Sequence, residues 1–419
     1  MPLKNYTVIV ISFLLLTNYV FAPAQTNDNG KDFVTISGIV KDRRTNRNLE
    51  SVNISMVGTR IGTVTNADGR FSLKIKSVKP GDVLEISCMG YQNVKIPVPA
   101  DLSQELAIHL TQSSILLKEI IVLPNEAKKL VMAAMERIET NYSLDKNRMT
   151  GFYRETVQKG RRYINISEAV TELYKTPYIQ NVSADRVQIL KGRSLLSPKA
   201  SDTLAVKLRG GPNLAVICDF VKNPDMLFEK EIFDIYNFVL NDPVSIDDRE
   251  QYTILFEPIV TQSYAMYYGV MYIDKETLTF TRAEFYLDMS DLNKATSSIL
   301  YKKPIGLRFK PEELSITVSY KRHGERSYLN YVRNEIRFKC DWKRRLFATN
   351  YTVISESVVT DIKETDIESI TYKDSFKTSQ ILSDKVSNFY DENFWEDYNI
   401  IEPSESLEDA VNKLKKKYD

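Results

Sequence analysis

Apolar and polar positions alternate with a two-residue period over two long stretches of the chain, the mark of half-buried β-strands. From Phe33 to about Val122 the segments "VTISGIV", "VNISMV", "RFSLKI", "DVLEISCM", "NVKIPV" and "ELAIHL" alternate, separated by evenly spaced turn residues. About seven short strands at this spacing predict a seven-stranded antiparallel β-sandwich. From Gln251 to Ile362 the segments lengthen and become aromatic: "YTILFEPIV", "YAMYYGVMYID", "TLTFTRAEFYLDM", "LSITVSY", "SYLNYVRNEIRFKCDW" and "LFATNYTVISESVV". They predict one large curved antiparallel sheet, open or closing towards a half-barrel, with Asp274-Lys275-Glu276 and His323-Gly324 as hairpin tips.

Helical periodicity marks two places. After Pro124, the residues Leu130, Val131, Ala134, Met135 and Ile138 form one apolar stripe, a docking face for a sheet. At the C-terminus Leu407, Ala410, Val411 and Leu414 form another, with Ser406 and Asp409 as a capping-box-like start and Lys413, Lys415, Lys416 and Lys417 where the helix dipole favours cations. Between the first helix and the long sheet, "MTGFYRETVQKGRRYINISEAVTELYK" reads as two strands around a Lys159-Gly160 turn, then a short helix or further strand. Residues 180–245 are mixed, with "SLLSPKASD" and "LRGGPN" as loops.

The chain is therefore expected to be mainly β with a few helices. Its organisation reads as an export signal over 1–24, a sandwich over 33–122, a connecting amphipathic helix over 123–145, an α+β region on the curved sheet over 146–390, and a C-terminal segment and helix over 391–419. The export signal rests on Lys4, the apolar run "YTVIVISFLLLTNYVF" and the small-x-small pattern Ala22-Pro23-Ala24. No cysteine lies near that cleavage site, so a lipid anchor is not expected, and no later stretch is apolar enough to span a bilayer as a helix.

Within the sandwich, Asn66-Ala67-Asp68-Gly69 poses a choice between a calcium loop and a turn. Aligning Gly69 with the glycine of an EF-hand loop puts Val64 first and Ile75 twelfth, both apolar, so two ligands are missing. A turn, with Gly69 at positive φ in a short hairpin, is the expectation.

The elements Gly38, Val40 and Asp42, then Gly62-Thr63, Asn66, Asp68-Gly69 and Phe71, then Met89-Gly90-Tyr91 occur in an order that resembles the carboxypeptidase regulatory-like domain. That resemblance implies a transthyretin-like, prealbumin-type sandwich of the kind found at the start of envelope proteins in Gram-negative bacteria. It implies a folding and docking module with no catalytic residues of its own. Lys118-Glu119-Ile120-Ile121-Val122 is similar to the segment that follows this domain in TonB-dependent receptors. Twenty-two barrel strands alone need roughly 220 residues before loops and plug, and fewer than 300 residues follow Val122, so a receptor is not expected. Phe152-Tyr153-Arg154-Glu155 and Ser167-Glu168-Ala169 resemble a recurrent pattern of envelope proteins bearing the same first domain, a pattern without assigned chemistry, and the C-terminal tail resembles theirs. "YGVMYIDKETLTFTRAEFYLD" is similar to the hairpins of half-barrel carriers that move lipoproteins and lipids across the periplasm.

Charge and chemistry narrow the function further. The 419 residues carry 56 bases and 55 acids, which removes the electrostatic case for nucleic acid. The three cysteines, Cys88, Cys218 and Cys340, do not make a disulfide scaffold. Cys88 shares a strand face with Leu84 and Ile86, and pairing of Cys218 with Cys340 is left open. Only His109 and His323 are present, and they fall in different domains, so the two-histidine, one-glutamate site of a zinc carboxypeptidase is not expected. His109 is expected in solvent and His323 at a hairpin tip. Gly210-Gly211 lacks the strand and Lys-Ser of a phosphate loop. Arg154 and Glu155 are open to a catalytic role, although strand charges usually form cross-strand pairs.

No catalytic residue, metal ligand or cofactor is assigned, and ligand-binding residues are left open. The expectation is a non-enzymatic exported protein of the periplasm or outer membrane. It would have a binding or assembly role towards an envelope protein or a lipid, which could lie in an apolar groove between the sheet and the two helices. The alternative is a carboxylate-based hydrolase such as a glycosidase, which needs two carboxyl groups facing one cleft.

Overall fold

The computed structural model describes residues 33–99, 101–102, 104–113, 126–227, 233–342, 348–389, 391 and 393–415. The export signal, Pro124, Lys416 and Lys417 lie outside them. In the first ninety residues, strands β1 (Val34–Asp42), β2 (Asn53–Met56), β3 (Gly62–Val64), β4 (Arg70–Ile75), β5 (Val83–Ser87), β6 (Val94–Pro97) and β7 (Leu106–Leu110) form two sheets. Their orders are β4-β1-β7 and β3-β2-β5-β6. Alternation turns Val40, Ile54, Phe71, Leu73, Leu84 and Ile108 into one shared core. One pair departs from the antiparallel expectation: β7 runs parallel to β1. The chain reaches β7 by crossing from the other sheet, and a crossover, unlike a hairpin, permits the same direction.

The Asn66–Gly69 segment is a turn, and it joins the two sheets rather than closing a hairpin within one. The Asn66 Oδ1 accepts from the backbone N–H groups of Asp68 and Arg70, both at 2.9 Å, while Gly69 has φ +72°. Both polar side chains then reach the far end of the sequence. The Asn66 Nδ2 donates to the Pro403 carbonyl at 2.9 Å, and Asp68 Oδ2 accepts from the Glu405 N–H at 2.6 Å. The family elements also meet: Asp42 accepts from the Tyr91 hydroxyl at 2.8 Å and from the backbone of Arg44 and Thr45. The Thr45 backbone bond leads the set that lowers the Asp42 pKa to about 2.

The remaining strands are β8 (Asn147–Lys159), β9 (Arg162–Lys175), β10 (Arg186–Leu196), β11 (Lys207–Leu208), β12 (Tyr236–Ile246), β13 (Arg249–Pro258), β14 (Tyr267–Asp274), β15 (Phe280–Leu287), β16 (Leu300–Lys302), β17 (Leu307–His323), β18 (Arg326–Trp342), β19 (Thr349–Lys363) and β20 (Ser387–Asn388). All but β11 and β16, which pair with each other, join one sheet of order β12-β13-β14-β15-β17-β18-β19-β8-β9-β10-β20. Every neighbouring pair is antiparallel except the two-residue β20 beside β10. The sheet is open at β12 and β20 and does not close into a barrel. The predicted turns are present: Gly160 and Gly324 take positive φ, and the Asp274 Oδ1 accepts from the N–H groups of Glu276 and Thr277.

Besides short pieces such as the Leu214–Ile217 helix, β11, β16 and β20, three longer elements were not anticipated. "SLL" belongs to β10, β12 hides behind Asp242-Pro243, where its register shifts, and Leu292–Ile299 is a helix capped by Asp291. A proline is tolerated in β12 because it is an edge strand. The helix buries only Ala295 and Ile299, too few positions for a clear period.

Both faces of the sheet are covered. On one, here the core face, α1 (Glu126–Glu136), α2 (Ile138–Asn141), α3 (Leu214–Ile217) and α4 (Leu292–Ile299) share a large hydrophobic core with Tyr153, Phe285, Val332 and Ile336. On the other, the docking face, Tyr331, Val358, Phe152 and Val170 pack against Trp395, Ile400 and Ile401 of the tail and Val64 of the sandwich. The C-terminal helix α5 (Glu405–Lys415) lies on the docking face too, with Leu407, Val411 and Leu414 on Ile166 and Leu195. It does not share a face with α1, so the groove expected between the sheet and both helices is not formed. Its start is two residues earlier than expected for the cap: the Ser404 Oγ accepts from the Leu407 N–H.

A ladder of alternating charge crosses the docking face beside that apolar row. Registered pairs run Arg333–Glu356–Arg154–Glu168–Arg193 over β18, β19, β8, β9 and β10. Glu168 is forked on both sides, with Arg154 Nη2 and Arg193 Nη2 each at 2.7 Å. Burial alone would raise its pKa, but Arg154 and Arg193 outweigh it and hold it below the ordinary value. Arg154 then donates to the carbonyls of Ile401 and Glu402, and Arg193 to that of Asp391. The recurrent motif pair is thus a buried clamp on the tail.

Three predictions follow from this arrangement. Gly69→Val destabilises the sandwich by roughly 1–2 kcal/mol or more, since a β-branched residue must take positive φ and its Cβ would meet the Val40 carbonyl oxygen at 2.6 Å. Thermal melts check this, and added calcium leaves the wild-type midpoint unchanged. Arg154→Ala costs about 3–5 kcal/mol by stranding part of a buried charge pair and exposes residues 391–404 to limited proteolysis. Because the Glu168 pKa is depressed, its contribution is complete above the unfolded value near 4.5 and is lost as pH falls through the folded one. Urea melts across pH 3–7 read this slope, and an unchanged slope in Glu168→Gln contradicts it.

Candidate functional site

Strand alternation sends Arg154 to the docking face and its neighbour Glu155 to the core face. The register then builds a second row. Asn334, Ser355, Glu155, Ser167 and Ser194 stand opposite one another on five adjacent strands. This polar row interrupts a face whose next row is apolar, with Ile336, Val353 and Val157 in register. Over these rows pass the segment after β10 and the turn around Leu382, which enclose a cavity of about 240 Å³. Its walls include Val157, Ile164, Ile336, Val353 and Leu382, and its polar lining includes Glu155, Asn334, Ser355 and Asp202.

The acids on this cavity differ sharply. Asp202 is spent: Arg162 grips both of its oxygens at 2.5 and 2.7 Å, and the Ser197 hydroxyl donates at 2.7 Å. The Arg162 bond holds its pKa far below the usual carboxylate range. Asp384 is exposed, 4.0 Å from Lys207. Glu155 has the Tyr153 hydroxyl at 3.0 Å, and burial raises its pKa with only that bond opposing. Glu155 is half-buried and lines the cavity. Asn334 is 4% exposed, and its Oδ1 has no hydrogen-bond partner among the described residues.

A second polar cluster lies elsewhere in the core. Lys175, Asp219, Asp185 and Lys222 are all buried. Asp219 accepts from Lys175 at 2.5 Å and from the hydroxyls of Tyr178 and Tyr320 at 3.0 and 2.6 Å. Lys222 donates to Asp185 at 2.7 Å. Burial and then Lys175 lower the Lys222 pKa to about 8, with Asp185 opposing. Two cations against two anions leave the group neutral, and none of the four lines the cavity. It fastens the end of β9 to the segment after α3.

The other residues singled out in the sequence fall away from the cavity. His109 is exposed on β7, and His323 ends β17, where burial, Lys321 and Arg60 lower its pKa to about 4. All three cysteines are free, Cys218 and Cys340 buried and Cys88 half-buried against the sandwich core. Burial pushes the Cys88 thiol up to about 11. Gly210 and Gly211 take positive φ ahead of the four-residue α3. Among the described residues no cluster of three or more His, Cys, Asp or Glu could hold a metal ion. Of the motif residues, only Glu155 and its neighbour across the strand reach the polar row. Asn334 and Ser355 were missed, although each breaks an apolar alternation: Val332, Ile336 and Phe338 around one, Tyr351 and Val353 beside the other.

Residues 36–122 match the family model of the CarboxypepD_reg-like domain. The same part of the chain is 36% identical over 90 residues to the TonB-dependent receptor SusC of Bacteroides thetaiotaomicron. That alignment covers 22% of this chain and 8% of the receptor, so the chain spans less than a tenth of the receptor's length. Among solved structures, a LolA superfamily protein from Nitrosomonas europaea aligns over 58% of this chain and 94% of its own, at 13% identity and TM-score 0.25. A DUF1329 family protein from Desulfovibrio piger aligns over 58% and 95%, at 11% identity and TM-score 0.24. Scores this low establish no shared fold. The CarboxypepD_reg-like domain itself contributes no residue to the cavity. No helix among the described residues is long and apolar enough to cross a membrane.

The unpartnered acceptor makes a stability prediction. Asn334→Leu removes a buried polar group without a partner and is expected to stabilise the protein by about 1–3 kcal/mol, read from urea melts. A clear loss of stability would mean that Asn334 is satisfied in solution.

Proposed function

We propose that this is a non-enzymatic binding protein of the bacterial cell envelope, exported by its N-terminal segment, whose ligand occupies the cavity beneath the flap over β8, β18 and β19. The CarboxypepD_reg-like domain and the tail brace the opposite face and hold the sheet rigid behind the site. The observation that carries this reading is the cavity itself: apolar walls with a few convergent polar groups, one of them a carboxyl with a raised pKa, are the usual make-up of a ligand site. Envelope placement is supported by the apolar leader and by the domain's likeness to part of SusC.

The size limits the ligand. About 240 Å³ is below the roughly 300–1,000 Å³ of drug-sized pockets, so the site takes a small molecule or one end of a larger one rather than a whole lipid. The hydrolase reading has less support. Two working carboxyl groups are required, and of the three acids on this cavity Asp202 is neutralised by Arg162 and Asp384 is exposed, 4.0 Å from Lys207.

Val353→Trp places an indole in the cavity and tests the assignment. Native mass spectrometry of protein purified from its envelope is expected to show a small bound molecule on the wild type. The variant should lack it while melting at a similar temperature. The same adduct on both proteins would place the ligand elsewhere.

A further inference from the structure

We propose that the tip where β16 turns into β17 docks the protein on an anionic lipid bilayer, with Ile305 entering the interface and Lys302, Lys303 and Lys310 meeting the headgroups. Residues Pro304 to Leu307 make a turn. The Leu307 N–H reaches back to the Pro304 carbonyl at 3.4 Å, and Gly306 has φ +84°, the left-handed conformation that a type II turn needs at its third residue. Ile305 is the second residue of that turn and is wholly exposed. This position favours proline and requires no large apolar side chain. Tyr301, just before the turn, is 49% exposed, and Trp342, opposite Leu307 on the β17–β18 ladder, is 37% exposed. Single exposed apolar side chains are ordinary. An isoleucine, a tyrosine and a tryptophan on one tip are the set that a bilayer interface holds, with the aromatic rings at headgroup level.

The charges around the tip match a negative surface. Its nearby acids are already taken: Asp341 faces Arg308 at 4.0 Å, Glu312 meets Lys339 at 2.5 Å and Glu313 meets Arg337 at 3.2 Å. Lys302, Lys303 and Lys310 are exposed, and among the described residues no carboxylate pairs with them. Lys303 donates to the Leu307 carbonyl at 2.7 Å, which holds its charge beside the turn. The tip is also free to approach a surface. β17 continues from Ser315, its last partner on β15, through Leu314 to Leu307, and the sandwich is fastened at the other end of the strand, where Lys321 meets Glu85 at 3.5 Å. Three side chains at a turn fall short of the roughly 800 Å² per partner of a stable protein interface, whereas a headgroup layer accepts a small apolar insertion backed by cations. β16 pairs with β11, whose Lys207 and Leu208 line the cavity, so docking by this tip brings the cavity to the bilayer.

The test uses the mature protein with vesicles of phosphatidylcholine alone or mixed equally with phosphatidylglycerol. Cosedimentation is expected with the mixed vesicles, at least about tenfold weaker with phosphatidylcholine alone, and reversed by high salt. The chain has two tryptophans, and Trp395 is buried, so Trp342 is the one that brominated acyl chains can reach. They are expected to quench its emission, and Trp342→Phe should remove the quenching. Ile305→Glu changes a fully exposed side chain and should melt as the wild type does while binding mixed vesicles about tenfold or more weakly. Equal binding to both kinds of vesicle overturns the anionic assignment. Undiminished binding by Ile305→Glu, or no quenching of Trp342, overturns the tip and places the contact elsewhere on the chain. No vesicle binding by the wild type overturns the proposal outright; an envelope protein captured by that wild type and not by Ile305→Glu would then assign the tip to a protein partner. The wild-type measurements use no variant, so an Ile305→Glu protein that fails to fold does not rescue the idea.

Discussion

A buried glutamate shared by two arginines organises this molecule. Glu168 sits on β9, third strand from the β20 edge of the sheet, with Arg154 and Arg193 on the flanking strands. Isolated, that carboxylate would be costly to bury; paired with one arginine it would still leave acceptor capacity unused. With two, the triad carries a spare positive charge, and the backbone carbonyls of Ile401, Glu402 and Asp391 meet it. The tail is thereby held against the sheet, and Trp395, between Phe152 and the Arg193 guanidinium, fills the space beneath. The N-terminal sandwich closes over the same strip through Thr63, Asn66, Asp68 and Lys74. Three regions far apart in sequence meet on one ladder of charge.

The consequences pass through the sheet to its other side. A strand whose alternate residues are locked on one face cannot slip in register without moving every residue on the other. Clamping Arg154 therefore fixes Glu155, and clamping Glu168 fixes Ser167. The polar row beneath the flap inherits its geometry from a salt-bridge ladder that it never touches. A rigid support of this kind is what a binding site needs, because side chains held in advance lose less freedom when a ligand arrives. The neutral Lys175–Asp219–Asp185–Lys222 group does the same for the middle region, tying the end of β9 to the segment after α3.

The site and the clamp also differ in how fully their polar groups are satisfied. In the ladder each buried charge has several partners, and the pKa of Glu168 is depressed. In the row, Glu155 has a raised pKa and Asn334 an empty acceptor. Buried polar atoms usually find partners, and Asn334 Oδ1 is one of several described atoms without one, Trp395 Nε1 beside the clamp among them.

The sequence by itself determined the local and periodic features. Two-residue alternation located the sandwich and the long strands, glycines and asparagines located the turns at Asn66, Lys159 and His323, and the ordered elements from Gly38 to Tyr91 pointed to the domain that the family comparison matched. These are properties of neighbours in the chain, and short-range sterics and side-chain patterning suffice to specify them. Tertiary structure alone decided the rest: that β7 runs parallel to β1, that α5 lies on the face opposite α1, that "FYRE" and "SEA" form a buried clamp, and that Asn334 and Ser355 stand beside Glu155. Each depends on which strands become neighbours. Where a strand is buried on both faces, as most of β8 and β9 is, alternation says that two faces exist but not what will cover either one.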